Sequence, residues 1–339
     1  MTDTLIQSGA TGSGSAPQTE PPAPDAVPVS DAAMAEAAEA VVRALTPHVE
    51  IRRVVVLVNP ASGSVGPRAA GEVEAILADY PLEAEVVSLE GGHFDAQIEK
   101  ALTSDPDVLF VLAGDGTARA VASRTGPKGP LVAPLPGGTM NMLPKALYGT
   151  ADWKLALRKA LEEGAPQCVS GGTVEGQDFY CAAILGSPAL WAPAREAMRS
   201  GKLSLAWAYG RRALRRAFTG RLRFSLDGGA KGKTEALVLI SPMISRALDE
   251  PVGLEAAAMD PTDTGQAFRL AATALFSDWR QDASVTTKPA RKIEVWARSK
   301  IPAVIDGEPT LLPHETKVTF IPKAFQALAP HPPAAEDSV

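Results

Sequence analysis

Four short stretches of this sequence combine small residues, hydroxyls and carboxylates in arrangements that could do chemistry. The first, NPASGS, sets Asn59, Ser62, Gly63 and Ser64 directly behind the apolar run VVVLV. Small side chains there let backbone N–H groups approach an anion at a helix start, although an ordinary capped turn has the same composition. The stretch lacks the lysine of a P-loop and the spacing of GxGxxG. The second, AGDGTARA, puts Gly114, Asp115, Gly116 and Thr117 behind another apolar run. With no partner strand close behind, this Asp-Gly is not a simple hairpin turn. Its glycines permit backbone contact with phosphates, Thr117 is placed to cap a helix, and Asp115 can act through a metal. The third, PLPGGTMN, repeats the theme with Gly137, Gly138, Thr139 and Asn141. The fourth, IDGEP, holds Asp306 and Glu308 two apart, so that an extended chain would put both carboxylates on one face. Asp-Gly between β-rich segments is equally the signal of a two-residue hairpin.

The elements around these stretches say how they are positioned. RRVVVLVNP, EAEVVSL, DVLFVLAG and GPLVAPLP read as strands, and they alternate with the helical patterns GPRAAGEVEAILADY, HFDAQIEKALTS, TARAVASR and NMLPKALYG. Continuous apolar strands alternating with helices predict a parallel sheet covered on both faces, which binds ligands at the carboxyl ends of its strands. The first three stretches should therefore line one rim, and a polyphosphate is the ligand they suit. After Thr150 the texture changes. A helix, DWKLALRKALEEG, leads into short β-rich runs separated by Gly, Pro and Asp. The expected fold class is α/β: a parallel-sheet nucleotide-binding domain over residues 30–150, then a mostly antiparallel β-sandwich domain over 151–325, whose C-terminal segment around Phe320 either ends there or returns to the first domain. Residues 1–29 and 326–339 are expected to be disordered tails, and a short helix is expected from Asp31.

In order and content, NPASGS, AGDGTARA, PLPGGTMN and VIDGEP resemble the motifs of the diacylglycerol kinase catalytic-domain family, which includes bacterial lipid kinases, sphingosine kinases and ceramide kinases. The resemblance implies an ATP-binding α/β domain, a β-sandwich domain, and transfer of the γ-phosphoryl to a lipid hydroxyl such as that of diacylglycerol in the cleft between them, with Mg²⁺ neutralising charge. It places Asn59, Gly114, Asp115, Gly116, Thr117 and Thr139 against the nucleotide, and Ser88, ending the second strand, beside them; Ser62, Gly63, Gly138 and Asn141, read from the same bends, complete the candidate nucleotide-binding set. It makes Asp306 or Glu308 the base that takes the acceptor hydroxyl proton, with Asp115 completing the catalytic set. In AMDPTDTGQAF, Asp260 and Asp263 match an acidic loop that binds a structural Mg²⁺ in the family, although Thr264 here interrupts the usual Asp-Gly. The chain also departs from the family at Arg119 and Ala120, where a polar-acidic pair is common, and at Met140 and Met142, where relatives read Gly-Asn-Asp.

Composition narrows the remaining choices. A net charge of -6 argues against a protein built to hold nucleic acid. Cys168 and Cys181 are the only cysteines, too few for a disulfide framework or a zinc cluster, and no leader or membrane-spanning run is seen, so a reducing cytoplasm is expected. Nine basic residues against one acid lie between Arg195 and Arg223, and Trp207, Leu214 and Phe218 fall on one helical face there. Such a helix suits peripheral contact with an anionic membrane surface; packed on its own domain, it would be a solvated helix instead. Two other readings stand beside the lipid kinase: a soluble-substrate enzyme related to NAD kinase, which shares the Gly-Asp-Gly loop, and a nucleotide- or lipid-binding protein that no longer catalyses, suggested by the acids missing at Ala120 and Met142.

Overall fold

Three valine- and leucine-rich strands lie at the centre of the first half. β1 (Arg53–Val58), β3 (Val108–Ala113) and β4 (Leu131–Pro136) are buried almost throughout, as strands covered on both faces must be. The more polar β2 (Glu83–Ser88) takes the edge, and the order β2-β1-β3-β4 is parallel throughout. The computed structural model describes residues 50–89, 92–191, 197, 201–202, 204–205, 207–208, 221–245, 252–260 and 285–331. Outside these lie the expected N-terminal tail, the helix from Asp31, Asp263 and all but Lys202, Arg221 and Arg223 of the basic positions between Arg195 and Arg223.

Helices α1 (Ala69–Leu77), α2 (Phe94–Thr103), α3 (Asp115–Thr125), α4 (Met142–Tyr148) and α5 (Trp153–Glu163) accompany these strands. Each buries an apolar stripe, for example Val73, Ile76 and Leu77 of α1 and Trp153, Ala156, Leu157 and Ala160 of α5. Asp152 caps α5, its carboxylate accepting from the N–H of Lys154 at 2.8 Å. At the opposite rim from the candidate site, the Asp107 carboxylate accepts from the N–H groups of Arg52 and Arg53, both at 2.8 Å, which ties β1 to the start of β3. Those two donors hold its carboxyl below the ordinary carboxylate range.

Beyond α5 the strands pair antiparallel with one another, and only the last of them meets the parallel strands in parallel. β7 (Ala182–Gly186), β10 (Ala236–Ile240), β11 (Leu254–Met259), β12 (Val285–Ala290), β14 (Ile301–Ile305) and β15 (Glu308–Leu312) form a six-stranded sheet in the order β12-β11-β10-β7-β14-β15. A second group, β5 (Gly164–Val174), β6 (Gln177–Phe179), β8 (Leu222–Leu226), β9 (Gly232–Thr234) and β13 (Lys292–Trp296), joins the four parallel strands through one further strand, the last, to make a ten-stranded sheet. The inner faces of the two sheets share a core that includes Phe179, Leu185, Leu239, Ile293, Ile305 and Phe320, which is the sandwich.

The element joining the halves is β16 (Glu315–Pro330). Its first half pairs with β13 and buries Val318 and Phe320 in the sandwich. Its second half reaches β4, Ala327 opposite Val132, and buries Phe325, Ala327, Leu328 and Ala329 in the core of the parallel sheet. Residues 326–330, expected in a frayed tail, are thus paired strand. Composition misled there because the Ala- and Pro-rich ending looks uncommitted until β5 and β4 supply partners. No helix among the described residues is long and apolar enough to cross a membrane.

Candidate active site

Register delivers the three small-residue bends to one rim. Val58 lies opposite Leu112, and Ala113 opposite Pro136, so the chain leaves β1, β3 and β4 at neighbouring points. The bends then touch. Ser64 N donates to Gly137 O at 3.2 Å. A Cβ at Gly63 would lie 3.3 Å from Thr139 Oγ1, one at Gly114 3.6 Å from Ser62 Oγ, and one at Gly138 3.0 Å from the Gly114 Cα. Gly138, and Gly137 with its would-be Cβ 2.8 Å from the Ala113 main chain, are thus held by close approach of backbone, Gly63 sits tightly against the Thr139 hydroxyl, and at Gly114 the contact is an ordinary one.

Each bend is tied internally. The Asn59 N–H continues the sheet by donating to Leu112 O at 2.9 Å, while its side-chain oxygen accepts from Ala61 N at 3.1 Å, an Asx turn. Asn141 takes a left-handed backbone (φ 51°). Its amide closes the third bend on itself: Oδ1 accepts from Gly138 N at 2.7 Å and Nδ2 donates to Gly138 O at 3.0 Å. Asn141 N then donates to Asp115 Oδ2 at 3.1 Å, linking the third bend to the second. Ser88 closes β2 directly opposite Val58, at the same edge.

Gly114 is the N-cap of α3, so Asp115, Gly116 and Thr117 all lie within its first turn. Thr117 is thus not the cap that its position in the sequence suggests: the extended backbone at Gly114 (ψ 165°) starts the helix earlier. A carboxylate in the first turn is favoured by the helix dipole. Burial nevertheless pushes the Asp115 carboxyl up, against the Asn141 N–H and the Lys145 charge.

Asp306 and Gly307 form the two-residue turn between β14 and β15, with Ile305 opposite Glu308 and φ of 45° and 87° at the turn residues. The expectation that Asp306 and Glu308 share a strand face does not hold, because the left-handed backbone at Asp306 takes it out of the pleat. Its carboxylate turns onto the start of β7: Oδ2 accepts from Tyr180 N at 2.8 Å, and Oδ1 from Cys181 N and Ala182 N, both at 2.9 Å. Burial pushes the Asp306 carboxyl up, opposed by these three N–H groups and by Arg119. Glu308 goes elsewhere. Its Oε2 pairs with Arg119 Nη2, and its Oε1 rests against the Gly116 Cα, where any side chain would collide with it. Arg119 Nη1 also donates to Ile305 O at 3.2 Å, so one guanidinium fastens the hairpin to α3.

A small hollow opens between these parts, lined by Asp115, Ala118, Arg119, Met140, Met142, Leu143, Tyr180, Cys181 and Asp306. Asp115 and Asp306, 191 positions apart in the chain, face it together. The Tyr180 ring packs edge-on against Phe325 of β16, centroids 5.0 Å apart. Cys181 is buried there, and burial followed by the charges of Asp306 and Asp115 pushes its thiol well up, so it is no nucleophile. Tyr180 and Cys181 carried no signal in the sequence. Arg119 stood out only as a departure from the family pattern, although it lies one helical turn beyond Asp115.

Asp260 follows β11 at a distance in sequence from all of this, and its carboxylate is engaged by Arg221. No group of three or more metal-ligating side chains occurs among the described residues. A Mg²⁺ that takes one carboxylate and several phosphate oxygens needs no such cluster.

Comparisons with known proteins agree with this architecture. No curated protein sequence matches the chain. Among solved structures, a diacylglycerol kinase from Bacillus anthracis str. Sterne superposes with a TM-score of 0.64 at 19% identity, covering 84% of this chain and 99% of its own. Two further structures from the same strain, each described as a candidate diacylglycerol kinase, give TM-scores of 0.61 and 0.59 at 18% and 20% identity. They cover 84% and 82% of this chain and 100% and 97% of their own. At such identities the likeness establishes the fold. The family model for the diacylglycerol kinase catalytic domain matches residues 53–171, the segment that carries the three rim bends and the helix of Asp115 and Arg119.

Proposed function

We propose that the chain is an ATP-dependent lipid kinase. The observation that carries this reading is the contact of the three glycine-rich bends around a rim where Asp115 and Asp306 face one hollow. Transfer of a γ-phosphoryl asks for positioning and charge neutralisation more than for covalent chemistry. On this reading the main-chain groups of residues 62–63, 114–116 and 138–139 bind the triphosphate, with Asn59, Ser88, Thr117 and Asn141 shaping the nucleotide site. Asp115 would hold Mg²⁺, which would supply neutralising charge. Asp306 is the base: it accepts the acceptor hydroxyl proton as that oxygen bonds to the γ-phosphorus and the bond to the ADP oxygen breaks. Glu308, already committed to Arg119, is the poorer candidate.

The acceptor is a lipid with a free hydroxyl. Ala118, Met140, Met142 and Leu143 give the hollow an apolar wall, which suits an acyl or alkyl neighbour of the reacting oxygen better than a polyhydroxylated nucleoside. Peripheral binding to anionic lipid through the basic segment belongs to the same reading. Trp207, 76% exposed within that segment, favours it. A second Mg²⁺ at Asp260 and Asp263 would have to displace Arg221. The test is to supply labelled ATP and Mg²⁺ with a panel of lipids and with NAD. Product in the organic phase supports the proposal; product from NAD alone, or nucleotide binding without turnover in any mixture, overturns it.

A further inference from the structure

We propose that Arg119 is the group that holds the transferring phosphoryl in this site, an inference that rests on the kinase reading above. Arg119 lies one turn along α3 from Asp115 and lines the hollow into which Asp115 and Asp306 face. Its side chain is only 20% exposed. Among the described residues lining that hollow it is the sole cation, against the two carboxylates.

The guanidinium is fixed along one edge only. Nη1 donates to Ile305 O and Nη2 to Glu308. Arginine has five N–H donors in a planar fork, so three have no acceptor among the described residues. Glu308 thus anchors the fork without consuming it, and Gly116 provides the room for that anchor. A pre-fixed arginine with donors to spare, beside a base and a metal-binding carboxylate, is what a charge-rich phosphoryl in flight calls for.

The reaction keeps its balance. The acceptor oxygen loses its proton to Asp306 and bonds to the γ-phosphorus, the phosphorus–oxygen bond to ADP breaks, and Arg119 hydrogen-bonds the equatorial oxygens throughout without gaining or losing a proton.

The test compares ADP with the non-hydrolysable analogue in which imido nitrogen bridges the β- and γ-phosphorus, both with Mg²⁺, by titration calorimetry on the full chain. Arg119→Gln is expected to weaken the γ-phosphate-bearing analogue about tenfold or more while leaving ADP within about twofold. Arg119→Lys, which keeps charge without the fork, is expected to fall between. Equal losses for the two nucleotides, or none, would assign Arg119 to fastening the hairpin alone. Thermal melting reports folding, and if Arg119→Gln does not melt cooperatively the Lys variant is read by the same ratio. Should the wild type bind neither nucleotide, the kinase reading itself fails; binding with an unchanged ratio removes only the role of Arg119.

Discussion

Replacing Asp306 by Asn separates the two jobs assigned to this carboxylate, and the structure gives the scale of each. The Asn carbonyl oxygen can still accept from Cys181 N and Ala182 N, now at 2.9 Å from Oδ1. Its amide nitrogen, however, faces Tyr180 N, which lies 2.8 Å from Oδ2, donor against donor. Leaving one buried N–H unsatisfied costs about 1–3 kcal/mol, and discharging a buried carboxylate returns part of it. At about 2–4 °C per kcal/mol for a domain of this size, melting should fall by several degrees with the fold retained. Loss of a general base costs about 10²- to 10⁴-fold in kcat, far more than so small a stability change could produce. The assay is lipid phosphorylation under saturating ATP, with melting followed by circular dichroism. A variant that melts lower but turns over within about threefold of wild type would leave Asp306 as the pin of β7 and refute its role as base.

Other perturbations test the rest of the site. Gly138→Ala inserts a methyl 3.0 Å from the Gly114 Cα and 3.2 Å from Asn141 Oδ1; separating the second and third bends should weaken nucleotide binding about tenfold or more by calorimetry, with only modest loss of stability. Because burial raises the Asp306 carboxyl, and a base acts only when ionised, the acid limb of kcat/KM should lie above the ordinary carboxylate range and move when Arg119 is neutralised; a limb at the ordinary carboxylate value would contradict this. For Asp107 the shift is downward, so its stabilising effect is present above the unfolded-state pKa and is lost as pH falls through the folded one; the gap in melting temperature between wild type and Asp107→Asn should close on acidification. Sedimentation with anionic vesicles should be strong at low salt and weak at high salt, and absence of binding at low salt would remove the membrane proposal.

The sequence made the rim legible because parallel strands announce themselves. VVVLV and VLFVLA cannot be edge or hairpin strands, and a small-residue bend after each has one place to go. Asp306 was legible as a turn, and the structure sets that turn beside the hollow that Asp115 also lines. What local pattern could not convey was direction. Positive φ at Asp306 separates it from Glu308, and no spacing rule contains that. Tyr180, Cys181 and the grip of Arg119 on Ile305 O depend on β14 pairing with β7 across about 120 residues, which leaves no trace in composition. The tail was begun too early for a related reason: QALAP resembles a loose end until β5 and β4 pair with it, which is the return to the first domain that the segment around Phe320 left open.

The reach of β16 through both cores bears on how the molecule must be assembled. Its partner Val132 emerges from the ribosome nearly two hundred residues before Ala327 does. Until that final ribbon arrives, β4 is left with an open flank and the sandwich lacks Val318 and Phe320. Neither half can close by itself, so the chain must hold two unfinished interiors through most of its synthesis and seal them together in one late event.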